Sequence, residues 1–391
     1  MRSRYKERMQ QFTKPALIEM IDSLIKTPSV SCVSSELDMS NLPVIEQLAN
    51  WLQPLGFTTE IQTLKDPNKA NLIATLGSGS GGLVLSGHTD TVPCDESLWT
   101  TSPFQLTARD NRLYGLGTAD MKSFLALAIE AASRFDSRRF QQPLIILATA
   151  DEETSMAGAK AIAESGYPKA RFAVIGEPTG LKPIRAHKGM MMESIRLTGQ
   201  AGHSSNPDLG HNALEAMHQV MTELMRWRQE LQAKHKNAFF EIPVPTMNFG
   251  HIHGGDNPNR ICGSCELHID IRPLPGMKLL DLRLELKTRL KQLLRNQNIR
   301  LQTLPLFEGI DAVETPAESE LVKICEQLTG HSAASVAFAT EAPFYQQMGM
   351  DAVVLGPGCI DQAHQPDEFI KLDSIKPGVD MLEKLIAKFC L

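Results

Sequence analysis

The sequence predicts an α/β protein, a central mixed sheet flanked by helices, with a ferredoxin-like α+β lid inserted into it. Three observations predict this. The short β-branched apolar runs "ANLIATL", "GLVLSG", "PLIILATA", "RFAVIG" and "DAVVLG" alternate with turns, and a strongly apolar helix, "KSFLALAIEAASRF", lies between two of them. That is the texture of buried strands in an α/β sheet. From about Lys188 the elements instead follow the order β-α-β-β-α-β, the ferredoxin-like pattern. The first texture returns near Asp311. The expected organisation is therefore one discontinuous domain, 1–187 with 308–391, and one inserted domain, 188–307.

The elements follow in chain order. Thr13 can cap a helix, Pro15 suits its first turn, and Leu17, Ile18, Ile21 and Leu24 recur at helical spacing. A second helix is expected over Leu42–Leu55. The glycine-rich "GSGSGG", Gly77–Gly82, has a strand on either side and no helix after it. It reads as a flexible hairpin connection and not as a dinucleotide loop, which needs a helix to follow. In the inserted region "MMMESIRLTG" is a strand, and a long helix with Leu214, Met217, Met221 and Leu224 on one face follows. "TMNFGHI" and "CELHIDIRP" are strands, the latter alternating Leu267, Ile269 and Ile271 with Glu266, His268 and Asp270. A helix bearing Leu279, Leu282, Leu286, Leu290 and Leu293 and the strand "IRLQTLPLF" complete the series.

Composition excludes several classes. The chain has 391 residues, 42% hydrophobic and 21% charged, with net charge −6 and no basic block, which argues against nucleic acid as a partner. No run approaches the roughly 18 apolar residues of a membrane span. The basic start "MRSRYKERMQQF" has no apolar segment behind it, unlike a secretory signal. Seven scattered cysteines fit reduced thiols in a cytoplasm better than a disulfide frame. Cys262 and Cys265 form a single CxxC within a strand pattern and read as structural. Met190, Met191 and Met192 read as strand packing and not as a copper site.

The polar residues that end the apolar runs carry the chemistry. "GLVLSG" ends in His88, Thr89 and Asp90; "PLIILATA" in Asp151, Glu152 and Glu153; "RFAVIG" in Glu177; "DAVVLG" leads through a glycine turn to His364; and Asp120 precedes a helix. Ligands of open α/β sheets collect beyond the carboxyl ends of strands. Each residue alone has an ordinary explanation: a hydrogen-bonded imidazole, a solvated glutamate, an N-cap aspartate. Together they crowd carboxylates, which repel unless a cation is present. A pair of divalent ions, zinc or a similar first-row metal such as cobalt or manganese, removes the conflict. Two ions roughly 3.5–4 Å apart can share one carboxylate. Glu152 and Glu153, adjacent in an extended segment, point different ways. One can bind metal while the other faces an attacking water as general base.

These stretches resemble the co-catalytic zinc aminoacylase and carboxypeptidase superfamily. The resemblance rests on "SGHTDTVP", "LYGLGTADMKS", "ATADEETSMAGA", "IGEPT", "RAHKG", "GQAGHSSNPDLGHNA", "HIDIRPLPG" and "VLGPGCIDQAHQPDE". "HIHGGDNPNRIC", "TEAPF" and "GPG…AHQPDE" narrow it towards the branch that deacetylates N2-acetyl-L-ornithine in arginine biosynthesis. The resemblance implies that His88 and Glu177 bind one metal, Glu153 and His364 the other, and that Asp120 bridges both. It implies that Asp90 orients His88 and that Glu152 is the general acid/base. It further implies that His203 stabilises the oxyanion across a homodimer formed through the lid, that Arg272 and Asn259 hold the substrate carboxylate and backbone, and that Glu341 lies near its distal amine. His187, His211, His251 and His253 receive no role.

The implied reaction is hydrolysis of an N-acyl amino acid, with acetylornithine favoured. Alternatives are succinyl-diaminopimelate, a general N-acyl amino acid or a short peptide on the same machinery, or a catalytically silent metal or amino-acid binding protein.

Overall fold

The computed structural model describes residues 14–391; the cap expected at Thr13 and the basic stretch 1–12 lie outside the described residues. The first helix, Leu17–Ile25, has Ala16 at its cap, where the Glu19 carboxylate accepts the Ala16 N–H at 2.9 Å. The second is α-helical over Leu42–Leu52 and tightens to a 3-10 turn over Gln53–Leu55, because Pro54 offers no N–H to continue the helix.

The chain forms two compact units. The first contains the described residues to Arg185 together with Thr315–Ala333 and Phe344–Leu391; the second contains Ala186–Glu314 and Ala334–Pro343. The second therefore extends past the expected 188–307 to include 186–187, 308–314 and 334–343. Its own hydrogen bonds hold the latter piece: Ser335 Oγ donates to the Phe239 carbonyl at 2.6 Å, and the Lys188 N–H donates to the Val336 carbonyl at 3.3 Å.

In the first unit the strands run Thr58–Thr63, Ala70–Leu76, Leu144–Thr149, Leu83–His88, Phe172–Ile175, Asp351–Val354. The first two pairings are antiparallel and the remaining three parallel. The sheet is thus mixed, and the four parallel strands present their carboxyl ends at one edge, with His88 in register with Thr149. Helices Leu17–Ile25, Leu42–Leu52, Lys122–Ala132 and Leu372–Cys390 contribute to the apolar core of this unit.

The glycine-rich connection is not a hairpin. Ala70–Leu76 and Leu83–His88 do not pair with each other; Leu144–Thr149 lies between them. The loop therefore crosses the start of that intervening strand. A Cβ at Gly82 would lie 2.0 Å from the Pro143 carbonyl oxygen, and Gly82 has φ +82°. Only glycine permits this crossing.

The second unit holds a four-stranded antiparallel sheet in the order Thr246–Gly254, Ser264–Arg272, Met191–Thr198, Arg300–Pro305. In chain terms the fourth strand lies beside the first, followed by the third and second, which is the ferredoxin-like arrangement. Helices Ala213–Lys234 and Leu279–Leu294 supply its core. The buried stripe of the former is Ala213, Ala216, Met217, Val220, Leu224, Trp227 and Leu231. Leu214, expected on that face, is exposed, because the stripe is set by Ala213 and its neighbours at i+3 and i+4. On the latter helix Leu294 is buried, and Leu293 only partly so. Cys262 and Cys265 are buried thiols in this core. No helix among the described residues is long and apolar enough to cross a membrane.

His187 is fully buried in this unit, and its Nδ1–H donates to the Lys188 carbonyl at 2.8 Å. Burial pushes its pKa down to about 4. The unfolded chain then binds a proton below its ordinary pKa of 6.5 that the folded chain does not, so stability falls as pH drops from about 6.5 towards 4. Urea denaturation at pH 6.5 and pH 5 should show a loss of about 1.5–2 kcal/mol attributable to this residue. The non-titrating His187→Gln variant should lack that component; an equal pH response in both proteins would contradict the assignment.

Candidate metal centre

Each strand-end residue reaches the carboxyl edge of the first unit by a different local device. His88 is the last residue of its strand and is buried. Asp120 sits in the irregular segment before the Lys122–Ala132 helix, whose N-cap position is Met121. Its carboxylate is thus not spent on the helix end. Glu152 and Glu153 follow Asp151, which adopts φ +58° and whose carbonyl accepts the Ser155 and Met156 N–H groups at 3.1 and 2.7 Å. That tight turn stops the strand and turns the glutamates into the edge. Glu177 follows its strand after Gly176. At Gly356 a Cβ would lie 2.1 Å from the Gly176 carbonyl oxygen, so glycine allows the loop leading to His364 to press against the Glu177 segment.

Asp120 is the centre of the arrangement. Its Oδ1 lies 3.1 Å from His88 Nε2, and its Oδ2 lies 3.6 Å from His364 Nε2. His88 Nε2 is also 4.0 Å from Glu177 Oε2, and His364 Nε2 is 3.0 Å from Glu153 Oε1. Donor atoms of His88, Asp120 and Glu177 fall within 4.8 Å of one another, as do those of Asp120, Glu153 and His364. The two trios share Asp120. A third overlapping trio, His88, Glu152 and Glu153, places Glu152 beside the same atoms.

The electrostatics match the donor set. Burial, then the Asp120 charge, pushes Glu177 well above the ordinary carboxylate range. Burial would lower His88, but its hydrogen bond to Asp120 and the charges of Glu177 and Asp90 hold it well above the usual histidine value. Burial would likewise raise Asp120, yet the hydrogen bond and charge of His88 hold it low. The hydrogen bond to Glu153 raises His364. In the protein alone, protons supply the positive charge that these carboxylates demand. Glu177 Oε1 is buried with no hydrogen-bond partner among the described residues, an acceptor that protein donors leave unused. Two imidazoles and three carboxylates around one shared oxygen pair suit a first-row divalent ion on either side. Such ions and protons compete for the same atoms.

Asp90 meets the His88 ring through its main chain and uses its carboxylate on other groups. His88 Nδ1 donates to the main-chain carbonyl of Asp90 at 2.9 Å, while the Asp90 carboxylate is 3.7 Å from that nitrogen. The carboxylate instead accepts the N–H of Glu152 at 3.2 Å and of Glu153 at 3.1 Å, one on each oxygen. It is fully buried, and burial raises its pKa to about 6. It therefore fixes the direction of both glutamates through their main chain.

The first acid of the run is balanced by a lysine that sequence reasoning did not single out. Lys69 is buried and bridges Asp38 and Asp151, at 2.8 Å to each. Ser31 Oγ donates to Asp151 at 3.0 Å. A second overlooked residue is Glu368. It is buried, accepts main-chain N–H groups next to Asp120, and has a pKa raised to about 8 by burial and by Asp120. Written in "QPDEFIKL", it reads locally as a solvated acid before a short strand.

The remaining expected residues lie in the second unit. His203 is exposed, and its Nδ1 meets the Ser205 hydroxyl at 2.7 Å and accepts the Ser205 N–H at 3.2 Å, which leaves Nε2 as the ring nitrogen able to donate. Asn259 is close to it: the Ser204 N–H donates to the Asn259 carbonyl at 3.1 Å. Arg272 ends its strand half-buried and pairs with Asp270 at 3.1 Å. Glu341 is buried.

A family model described as peptidase family M20/M25/M40 matches residues 84–388. A relative named acetylornithine deacetylase from Proteus mirabilis (strain HI4320) is 51% identical over 378 residues, 96% of this chain and 97% of that one. Among solved structures, an M20 family metallo-carboxypeptidase from Sulfolobus solfataricus superposes with TM-score 0.72 at 18% identity, over 95% of this chain and 98% of that one. A dinuclear metal-binding M20 peptidase from Bacillus subtilis gives 0.66 at 14% identity, over 95% and 97%. The two structures are similar in fold.

Replacing Lys69 by methionine leaves Asp38 and Asp151 facing each other without their cation. Lys69→Met should lose about 2 kcal/mol in urea denaturation at pH 7; unchanged stability would show that the lysine does not balance the acidic run.

Proposed function

We propose, for a chain that belongs to peptidase family M20/M25/M40, metal-dependent hydrolysis of the N-acyl amide of an amino acid. The proposed substrate is N2-acetyl-L-ornithine, and the products are L-ornithine and acetate, a step of arginine biosynthesis. The observation that carries the reading is Asp120, whose two oxygens face two separate imidazole–carboxylate groups. The name of the half-identical relative supports the substrate.

His88 and Glu177 are proposed to hold one ion, Glu153 and His364 the other, and Asp120 both. Mixed nitrogen and oxygen donors favour zinc, with cobalt or manganese as substitutes. When bound, such an ion pair lowers the pKa of a water and polarises a carbonyl. Glu152 is the proposed general base: it takes a proton from the attacking water as the new C–O bond forms. It then delivers that proton to the amine nitrogen as the C–N bond breaks, so the products are the free amine and the carboxylate. Asp90 keeps Glu152 aimed by holding its N–H. A base displaced by even an ångström loses much of its advantage.

His203, with its proton on Nε2, is the proposed donor to the oxyanion, acting across a homodimer formed through the second unit. Arg272 and Asn259 are proposed to hold the substrate carboxylate and backbone, and Glu341 its distal amine. A cytoplasmic location fits the free cysteines.

The deciding experiment measures amine release from acetylornithine, succinyl-diaminopimelate, a general N-acetyl amino acid and a dipeptide, with metal-loaded and chelator-stripped protein. Acetylornithine should be turned over best, and only by loaded protein. Faster turnover of another substrate would reassign specificity, and ligand binding without acetate release would indicate a silent binder. Glu152→Ala should keep its metal and lose about 10²–10⁴ in kcat. Glu153→Ala should lose one ion by metal analysis; a Glu153→Ala protein with full occupancy would contradict the ligand assignment.

A further inference from the structure

We propose that Glu368 is a positioning residue of the metal centre, a buried carboxylate that binds no ion and sets the loop carrying Asp120. The proposal rests on the reading of Asp120 as the shared ligand. A single oxygen, Glu368 Oε1, accepts the N–H groups of Gly117 at 3.1 Å, Ala119 at 2.7 Å and Asp120 at 3.0 Å. These groups belong to the irregular segment between the Arg112–Tyr114 strand and the Lys122–Ala132 helix. Buried N–H groups outside regular structure need an acceptor from elsewhere. An ionised carboxylate is a stronger acceptor than a neutral carbonyl, and the three N–H groups oppose the burial and the Asp120 charge that raise the pKa of Glu368.

Glu368 has little freedom of its own. Its main-chain carbonyl accepts the Gly115 N–H at 3.0 Å, and the next residue, Phe369, pairs with Tyr114 in a short antiparallel strand. The residue before it, Asp367, accepts the Thr100 N–H and hydroxyl at 2.8 Å each. The side chain is 1% exposed and lies in none of the donor trios. At Gly117, φ is +86° and a Cβ would stand 2.8 Å from Lys122 Cδ, so the loop can turn its N–H groups onto the carboxylate only with glycine there. His364 lies in the same short segment. One stretch of chain thus delivers a direct ligand to one trio and the support for the ligand shared by both.

The same logic appears at Asp90, which holds the Glu152 and Glu153 N–H groups. The two buried carboxylates divide the work: one orients the base and its neighbouring ligand, the other the bridge. Loss of such outer support typically costs 10–100-fold in metal affinity or activity.

The test uses the full chain, stripped with chelator and titrated with cobalt(II), read by visible absorption and by metal analysis. Glu368→Gln keeps an oxygen for the N–H groups and removes the ability to ionise when the neighbouring site is loaded. Its unloaded circular dichroism and Tm should match wild type, cobalt affinity should fall about 10–100-fold, and the absorption bands at saturation should differ in position. Glu368→Ala should show a larger loss of the same kind. Wild-type affinity and spectrum in Glu368→Gln would overturn the proposal. So would a loss of affinity that appears only together with loss of the unloaded fold, which is the mark of a merely structural role. Uptake of fewer than two ions by wild type would overturn the two-ion reading, and this proposal with it; a normal wild type beside a normal variant overturns the Glu368 assignment alone.

Discussion

Carboxylates crowded at one sheet edge are the constraint on which the rest of the first unit depends. Asp120, Glu153 and Glu177 approach His88 and His364 closely enough that neighbouring charges and hydrogen bonds shift Asp120, Glu177 and both imidazoles. Such a cluster is costly to bury unless positive charge accompanies it. The parallel order of four strands brings their carboxyl ends to one edge, where His88 ends its strand and Glu153, Glu177 and His364 lie in the connections that follow the other three. The fold therefore concentrates the electrostatic problem, and the donor geometry offers divalent ions as its resolution.

Around that cluster, the protein uses charge to fix main chain more than to touch the reacting atoms. Asp90 takes two consecutive N–H groups, and Lys69 joins Asp38 to Asp151 at the start of the acidic run. The run "DEE" is thereby split by role: the first acid is neutralised by a buried lysine, and the next two have their backbone held by Asp90. Buried charges that are fully paired in this way hold side chains to a small set of directions.

Much of this was legible in the sequence. Apolar runs ending abruptly in acids or imidazoles marked the strands and their functional edge, since so many such groups at one edge repel unless a cation joins them. The β-α-β-β-α-β order marked the second unit for the same local reason, its periodicities. What was hidden depends on partners distant in sequence. The glycine run between two strands looked like a hairpin because local pattern does not say which strands pair, and Leu144–Thr149 inserts between them. Asp90 was expected on the His88 ring, which its carbonyl meets, while the donors to its carboxylate come from a turn some sixty residues later. Lys69 and Glu368 were missed because a lysine beside a turn and a glutamate before a short strand ordinarily face water. Leu214 was misplaced at the first turn of a stripe whose Met217 and Leu224 are buried as expected.

The central claim is that Asp120 is shared by two ions. The most direct measurement is anomalous X-ray scattering from zinc-loaded crystals of the full chain. The account predicts two peaks roughly 3.5–4 Å apart, one beside His88 and Glu177 and the other beside Glu153 and His364, with Asp120 between them. A single peak, or two peaks of which Asp120 contacts only one, would contradict it.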